Sequence, residues 1–238
     1  MIRRAVSPEE LARLPQKGVE AQKIRALMLA YETKYDFCRF YVSEDVILCE
    51  TDGSFVVCEI GNADDISELA DFFKFSGFSE IFCSEAIGEK LSVYLKCGAQ
   101  RVNLMRFCGV PVRCAEADTD PPLDEVFKIL SSSFDIVYEH WYVDMSHRIR
   151  HNIAKARMLD SSALIIQHDL NGEALLSQIA TVPKDRGQGN ASRLISSVCA
   201  ELSKSDVFVI CEDDLLPFYR KVGFEKTGDK FIVTPKNE

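Results

Sequence analysis

The chain lacks long apolar runs, paired cysteine motifs and an excess of positive charge, and each absence closes off a class of function. Apolar runs such as Val207–Cys211 extend about five residues, against the roughly 20 that a membrane-spanning helix needs. No membrane partner is expected. The N-terminal Met1-Ile2-Arg3-Arg4 runs into Pro8-Glu9-Glu10 without the apolar core of a secretory signal, so a cytoplasmic location is expected. Nine cysteines (Cys38, Cys49, Cys58, Cys83, Cys97, Cys108, Cys114, Cys199 and Cys211) include no CxxC pair, and most sit inside apolar runs. They read as small buried hydrophobes of a reducing compartment. No metal is expected either. His147 and His151 are four apart, but a zinc HExxH motif needs Glu where Arg148 stands. With 28 Lys+Arg against 37 Asp+Glu the net charge is −9, which excludes a general nucleic-acid coat. The local basic group Arg148, Arg150, Lys155 and Arg157 is expected to be a solvated face.

What remains is an ordinary globular composition, 238 residues with 47% hydrophobic and 27% charged, enough for one large or two small domains. Strands are expected at 37–42, 45–50 and 54–60, with a turn at Thr51-Asp52-Gly53. A helix carrying Ile66, Leu69, Ala70 and Phe73 follows, then a strand at 80–83, a helix at 90–96 and a strand at 101–108. Residues 111–122 hold three prolines and the acids Glu116, Asp118 and Asp120. Periodicity fails there, so the boundary is drawn at 117/118, giving domains 1–117 and 118–238. The second half predicts helices at 123–132 and 138–152, strands at 154–159, 162–168 and 174–182, and a turn at Asn171-Gly172. An amphipathic helix follows, with Ala191, Leu194, Ile195, Val198 and Leu202 on one face. A strand at 207–211, a helix at 215–222 and a strand at 230–233 close the chain. Two echoes in register, Ser79-Glu80-Ile81-Phe82 with Ser205-Asp206-Val207-Phe208 and Tyr94…Gly98 with Tyr219…Gly223, point to a duplicated α/β unit.

The sharpest motif is Val182-Pro183-Lys184-Asp185-Arg186-Gly187-Gln188-Gly189-Asn190-Ala191, set between a buried strand and an amphipathic helix. Gly187 and Gly189 let the backbone turn tightly and approach a ligand. The first amides of the helix have no acceptor within it and, with the helix dipole, favour a pyrophosphate. Arg186 adds a cation. The spacing is neither that of a Walker loop nor that of the dinucleotide fingerprint, which needs a third glycine where Ser192 stands.

This run resembles the acetyl-CoA signature of the GNAT N-acetyltransferases, and Pro217-Phe218-Tyr219 through Gly223-Phe224 is similar to a second hallmark of that family. The resemblance covers about half the chain; the N-terminal half looks like a degenerate copy. It implies an α/β fold of two tandem GNAT-like units, each a mixed central sheet flanked by helices. It also implies an acetyl-CoA-dependent N-acetyltransferase acting on a primary amine. Ala180, Thr181 and Val182 would pair with the pantetheine arm, and Arg186, Gly187, Gln188, Gly189, Asn190 and Ala191 would hold the pyrophosphate. Tyr219 would be the acid that protonates the leaving thiolate. The acid that many relatives carry on the strand before the signature is missing from Leu176–Ala180. Glu212 or Asp213 is then the candidate base, with helix capping as the alternative use of both. The family's acceptor region falls on Trp141, Tyr142, Asp144 and His147, aromatic walls with polar groups. A homodimer is compatible with this reading. The alternative is a non-catalytic acyl-CoA-binding module whose N-terminal half docks a protein.

Overall fold

The computed structural model describes residues 1–62, 64–114 and 116–236 and shows a mixed α/β fold. Its elements run β1 (Arg3–Arg4), α1 (Val19–Tyr31), β2 (Cys38–Val42), β3 (Val46–Thr51), β4 (Ser54–Glu59), α2 (Ser67–Ser76), β5 (Glu80–Ser84), α3 (Glu85–Leu95) and β6 (Gly98–Phe107). The second series is α4 (Leu123–Leu130), α5 (Tyr138–Arg150), β7 (Lys155–Leu159), β8 (Ser162–Leu170), β9 (Glu173–Thr181), α6 (Asn190–Glu201), β10 (Asp206–Cys211), α7 (Leu216–Val222) and β11 (Phe224–Thr234). Among the described residues, no helix is long and apolar enough to cross a membrane.

Two compact units emerge: Met1–Asn103 with Gly228–Glu238, and Leu104–Thr227. The division differs from the expected 117/118 boundary because compactness follows strand pairing and not chain order. The end of β11 pairs antiparallel with β5, Lys230 opposite Ser84 and Val233 opposite Ile81. The last strand of the sequence therefore completes the first unit.

In the first unit the strand order is β1-β2-β3-β4-β5-β11. The β3–β4 hairpin turns at Asp52 (φ 48°) and Gly53 (φ 81°), the two left-handed positions that suit the right-handed twist of its strands. The β4–β5 pair is parallel, and α2 and α3 bury Leu69, Phe73, Ile87 and Leu91 against Phe55, Ile81 and Val233. The sequence reading missed α1. It buries Val19, Ala21, Ile24, Ala26, Met28 and Ala30, together with the polar Glu20 and Gln22, so it shows no polar stripe to mark it.

In the second unit the order is β6-β10-β9-β8-β7. One face is covered by α6 and α7: Leu194, Ile195 and Val198 of α6, the adjoining Leu202, and Tyr219 of α7 share a core with Leu164, Ile166, Leu176 and Val209. Each such aliphatic side chain contributes about 1.5–3 kcal/mol. The other face is covered by α4 and α5, whose Val126, Leu130, Trp141 and Met145 pack on Ala156, Ala163, Ile165 and Ala180.

Among the described residues the cysteines form no disulfide. Six are buried, Cys97 and Cys114 are half-buried, and Cys108 is exposed. The basic group needs a correction. Arg148 and Arg157 are buried, 5% and 8% exposed, not solvated. Arg157 forms a two-pronged pair with Glu201 (2.8 and 2.6 Å) and donates to the Thr119 carbonyl at 2.6 Å. That hydrogen-bonded pairing holds the Glu201 carboxyl below its usual range. Neighbours along a chain turn to different sides of an element, so a run of basic residues need not share a face.

Candidate active site

The parallel ladder between β9 and β10 joins Glu173 with Asp206, Ala174 with Val207, Leu175 with Phe208 and Leu176 with Val209, and ends there. Both strands continue, β9 to Thr181 and β10 to Cys211. A bulge on β9 lies immediately past the last pair. Ile165 stands opposite Ser177 and Ala163 opposite Ala180, so Gln178 and Ile179 together face Leu164. Gln178 adopts φ 48°. An extra residue bends its strand and increases its twist, which accounts for the divergence from β10. Ser177, Gln178 and Ile179 are half-buried where the flanking Leu176 and Ala180 are buried.

The signature motif lies at the far end of β9. Pro183–Asp185 forms a single 3-10 turn, and Gly189 caps α6 with φ 83° and no side-chain hydrogen bond. Gly187 also has a positive φ, 80°, and a Cβ built on either glycine meets nothing within 4 Å. Backbone conformation, not crowding, calls for glycine, and the space in front of the loop is open. The first helical bond runs from the Arg193 amide to the Gly189 carbonyl (3.0 Å). The amides of Asn190, Ala191 and Ser192 precede it and have no acceptor within the helix. These features fit a pyrophosphate. Arg186 is turned back from the loop: its Nε donates to the Thr181 carbonyl (3.2 Å) and its Nη2 to Ser133 Oγ (2.9 Å). Its charge stays beside the cradle while its hydrogen bonds brace the loop against the α4–α5 connection.

Tyr219 is 7% exposed and packs against Phe218 and Phe224 at 5.1 and 5.6 Å between ring centres. It shares a core cluster with Cys211 and Met105. Burial pushes its phenol well above the usual range, with the neighbouring Cys211 adding to the shift. The group therefore stays protonated near neutral pH, with a proton available to give. Cys211 ends β10, beyond the last ladder pair, which sets Tyr219 on the β10 side of the divergence. Glu212 follows directly, exposed, at the head of a 3-10 turn whose Leu215 amide donates to its carbonyl (3.2 Å).

The four acceptor-side candidates do not form one cluster. A helix turns about 100° per residue, so Trp141, Met145 and Arg148 make the buried stripe of α5, with Tyr142 on one flank and Asp144 and His147 on the other. Trp141 reaches the bulge, its indole N–H donating to Gln178 Oε1 at 3.0 Å. Asp144 engages the buried Arg148 (3.4 Å). The His147 ring lies 4.1 Å from that of His151, whose Nδ1 is 2.8 Å from the His147 carbonyl. The sequence reading missed Gln178, Ser133, Asp124 and Tyr138. Only Tyr138 carried a signal, four residues before Tyr142 and so on the same flank.

A protein-family model described as an acetyltransferase (GNAT) domain matches residues 137–234. Residues 137–234 are a GNAT acetyltransferase domain. Solved structures extend the likeness of the GNAT fold to the whole chain. A GCN5-related N-acetyltransferase from Kribbella flavida superposes with a TM-score of 0.64 at 13% identity, covering 98% of each chain. A GNAT-family acetyltransferase from Colwellia psychrerythraea gives 0.56 at 12% identity, covering 99% of this chain and 100% of its own. A tandem GNAT protein of the clavulanic acid biosynthesis pathway gives 0.56 at 10% identity, covering 100% of this chain and 99% of its own. A search of curated proteins returned no match. Acyl transfer in general is what this GNAT domain supports.

Proposed function

We propose that the chain is an acetyl-CoA-dependent N-acetyltransferase whose working site is the divergence of β9 and β10, with a primary amine as acceptor. The observation that carries this reading is the combination of an uncapped, glycine-opened helix start with a parallel ladder that ends at Leu176 and Val209. One feature takes a diphosphate. The other leaves strand edges free to pair with an extended amide-containing arm.

In this mechanism the amides of Gln188 through Ala191 hold the pyrophosphate, with the helix dipole and Arg186 adding positive charge. Backbone groups of Ala180, Thr181 and Val182 pair with the pantetheine arm as an added strand would. Backbone donors beside the bulge polarise the thioester carbonyl as the amine adds to it. Tyr219 gives its proton to the departing thiolate; its raised pKa means the proton is present across the working range. The amine must be neutral when it attacks, so an acceptor bound as ammonium first loses a proton. Glu212, exposed at the end of β10, is the carboxylate assigned to draw off its proton through water.

Tyr219→Phe is expected to lower turnover by about 10–100-fold with acetyl-CoA affinity little changed, measured by thiol release and by calorimetry. Unchanged turnover would remove Tyr219 from the mechanism. The sign of its pKa shift gives a second check. A phenol raised above its ordinary value near 10 keeps its proton, so wild-type turnover should show no alkaline fall from Tyr219 below about pH 10.

The absence of an acid on β9, where Gln178 occupies the bulge, favours a second reading: acyl-CoA binding without chemistry. Calorimetric binding of acetyl-CoA with no thiol release on any of a panel of amines would select it.

A further inference from the structure

We infer that the acceptor is a cationic amine borne on an apolar or aromatic body, held by an aromatic, acid-rimmed face formed by α4, the α4–α5 connection and α5. The inference deepens the acyl-transfer reading and rests on it for turnover, but not for binding.

The face begins at the cleft and runs outward as a chain of rings. Trp141 is hydrogen-bonded to Gln178 at the β9 bulge. Phe127 lies 5.6 Å from Trp141 and 4.9 Å from Tyr138, and Tyr138 lies 5.4 Å from Tyr142, all between ring centres. Trp141 is buried, Phe127 is half-buried, and Tyr138 and Tyr142 are 39% and 36% exposed. Phe134 and Val137 in the connection add further exposed apolar surface. Exposed apolar groups gathered in this way, next to a reaction cleft, mark a place where a ligand body lies.

Two separate hydrogen bonds fix the segment to the proposed site. Ser133 takes the Arg186 bond at the phosphate end of β9, and Trp141 makes the Gln178 bond at the bulge. Tyr138 is fixed as well, its hydroxyl donating to Asp124 Oδ1 at 2.5 Å. The rings are therefore preorganised before any ligand arrives.

Charge selects the class of ligand. Asp124 and Glu125 on the first turn of α4, Asp135 in the connection and Glu139 on the first turn of α5 are all exposed, and Asp124 is bonded directly to the ring chain at Tyr138. The exposed cations of the segment stand elsewhere: Lys128 on the last turn of α4, Arg150 on the last turn of α5, and Arg186, which meets Ser133 at the phosphate end. Ring faces and carboxylates both attract an ammonium group. The same carboxylates repel an acceptor bearing a phosphate or a carboxylate of its own. Apolar rings offer little to a purely hydroxylated one. Amino sugars, amino acids and phosphorylated amines are thus disfavoured relative to arylalkyl or alkyl amines.

The test uses the chain's single tryptophan, Trp141, as its own reporter. Fluorescence titration should give saturable binding of 2-phenylethylamine about tenfold or more tighter than phenylalanine, which has the same body plus a carboxylate. Asp124→Asn should shrink that ratio to about threefold or less, and Tyr142→Ala should weaken 2-phenylethylamine about tenfold. Both positions are exposed, so neither variant threatens the core. With acetyl-CoA present, both variants should raise KM for 2-phenylethylamine and leave kcat within about twofold. Phenylalanine or glucosamine binding as well as 2-phenylethylamine, or a ratio indifferent to Asp124→Asn, overturns the inference. So does self-association that Tyr142→Ala abolishes in a chain that binds no arylalkylamine, since the face would then be an interface between copies. If binding selectivity holds but no amine releases thiol, acetyl transfer fails and the inference stands. If glucosamine or phenylalanine is the better acceptor, acetyl transfer stands and the inference falls.

Discussion

Each unit contains a parallel strand pair followed by a helix, and the two treat the same positions in opposite ways. In the first unit the ladder of β4 and β5 ends at Val56 and Phe82. The tips of the two strands are then bridged by Ser84 Oγ donating to Glu59 Oε2 at 2.5 Å. Burial raises the thiols of Cys58 and Cys83, two residues and one residue past that last pair, and the Glu20 carboxylate, itself paired with Lys230 (2.5 Å), lies close enough to add to the shift. At the start of α2 the Ser67 amide donates to Asp65 Oδ1 at 2.9 Å, a hydrogen bond that holds the Asp65 carboxyl below its usual range. The second unit leaves its helix start uncapped and its divergence bordered by half-buried residues. A shared frame does not make a shared site. Where the protein's own carboxylates occupy the positive end of a helix and the gap between strands, no anionic ligand can.

The contrast can be broken from either side. Gly189→Asp gives the second unit what the first already has, a carboxylate at its helix start, and also burdens a left-handed position that favours glycine. Acetyl-CoA affinity is expected to fall about 100-fold, roughly 2.7 kcal/mol, in calorimetry; wild-type affinity would show that the ligand does not sit at this helix. In the first unit, Glu20→Gln leaves Lys230 without its counter-charge. Removing one partner of a buried pair costs about 3–5 kcal/mol. Lys230 is 17% exposed on its side chain and can turn partly to water, so about 2 kcal/mol is expected in denaturant unfolding. Acetyl-CoA affinity should not change. An affinity that moved with this variant would mean that the first unit contributes to the site.

What could be read from the sequence followed from local chemistry. Asp52-Gly53 and Asn171-Gly172 fold as left-handed hairpin turns (φ 48°, 81°, 52° and 76°) because few other pairs adopt those angles cheaply. The apolar stripe of α6 and the glycine signature before it were legible for the same kind of reason. Features set by packing between distant residues were not. Nothing in Ser177-Gln178-Ile179 announces a bulge, because Gln178 is no usual left-handed residue. Nothing in α4 announces that Asp124 meets a tyrosine 14 positions later. The division inside β6 and β11 depends on which strand the C-terminal residues join, a choice of partner that no local pattern encodes.

The two echoed tyrosines give the finest test of the comparison, and the smallest expected effect. In sequence Tyr94 and Tyr219 hold equivalent places, four residues before Gly98 and Gly223. In structure the helices end differently. α7 runs up to Gly223, which takes the left-handed cap at φ 107°. α3 stops at Leu95, and Lys96 takes that cap at φ 53°, two residues earlier than the echo implies. Tyr94 is 53% exposed where Tyr219 is 7%. An exposed ring at the last turn of a helix contributes little, so Tyr94→Phe should change stability by less than about 0.5 kcal/mol and leave turnover at the wild-type level. Set beside the drop expected for Tyr219→Phe, that result would assign the acid role to burial beside the β9–β10 divergence. A turnover loss for Tyr94→Phe matching that of Tyr219→Phe would instead show that both units carry chemistry, and the comparison would no longer separate them.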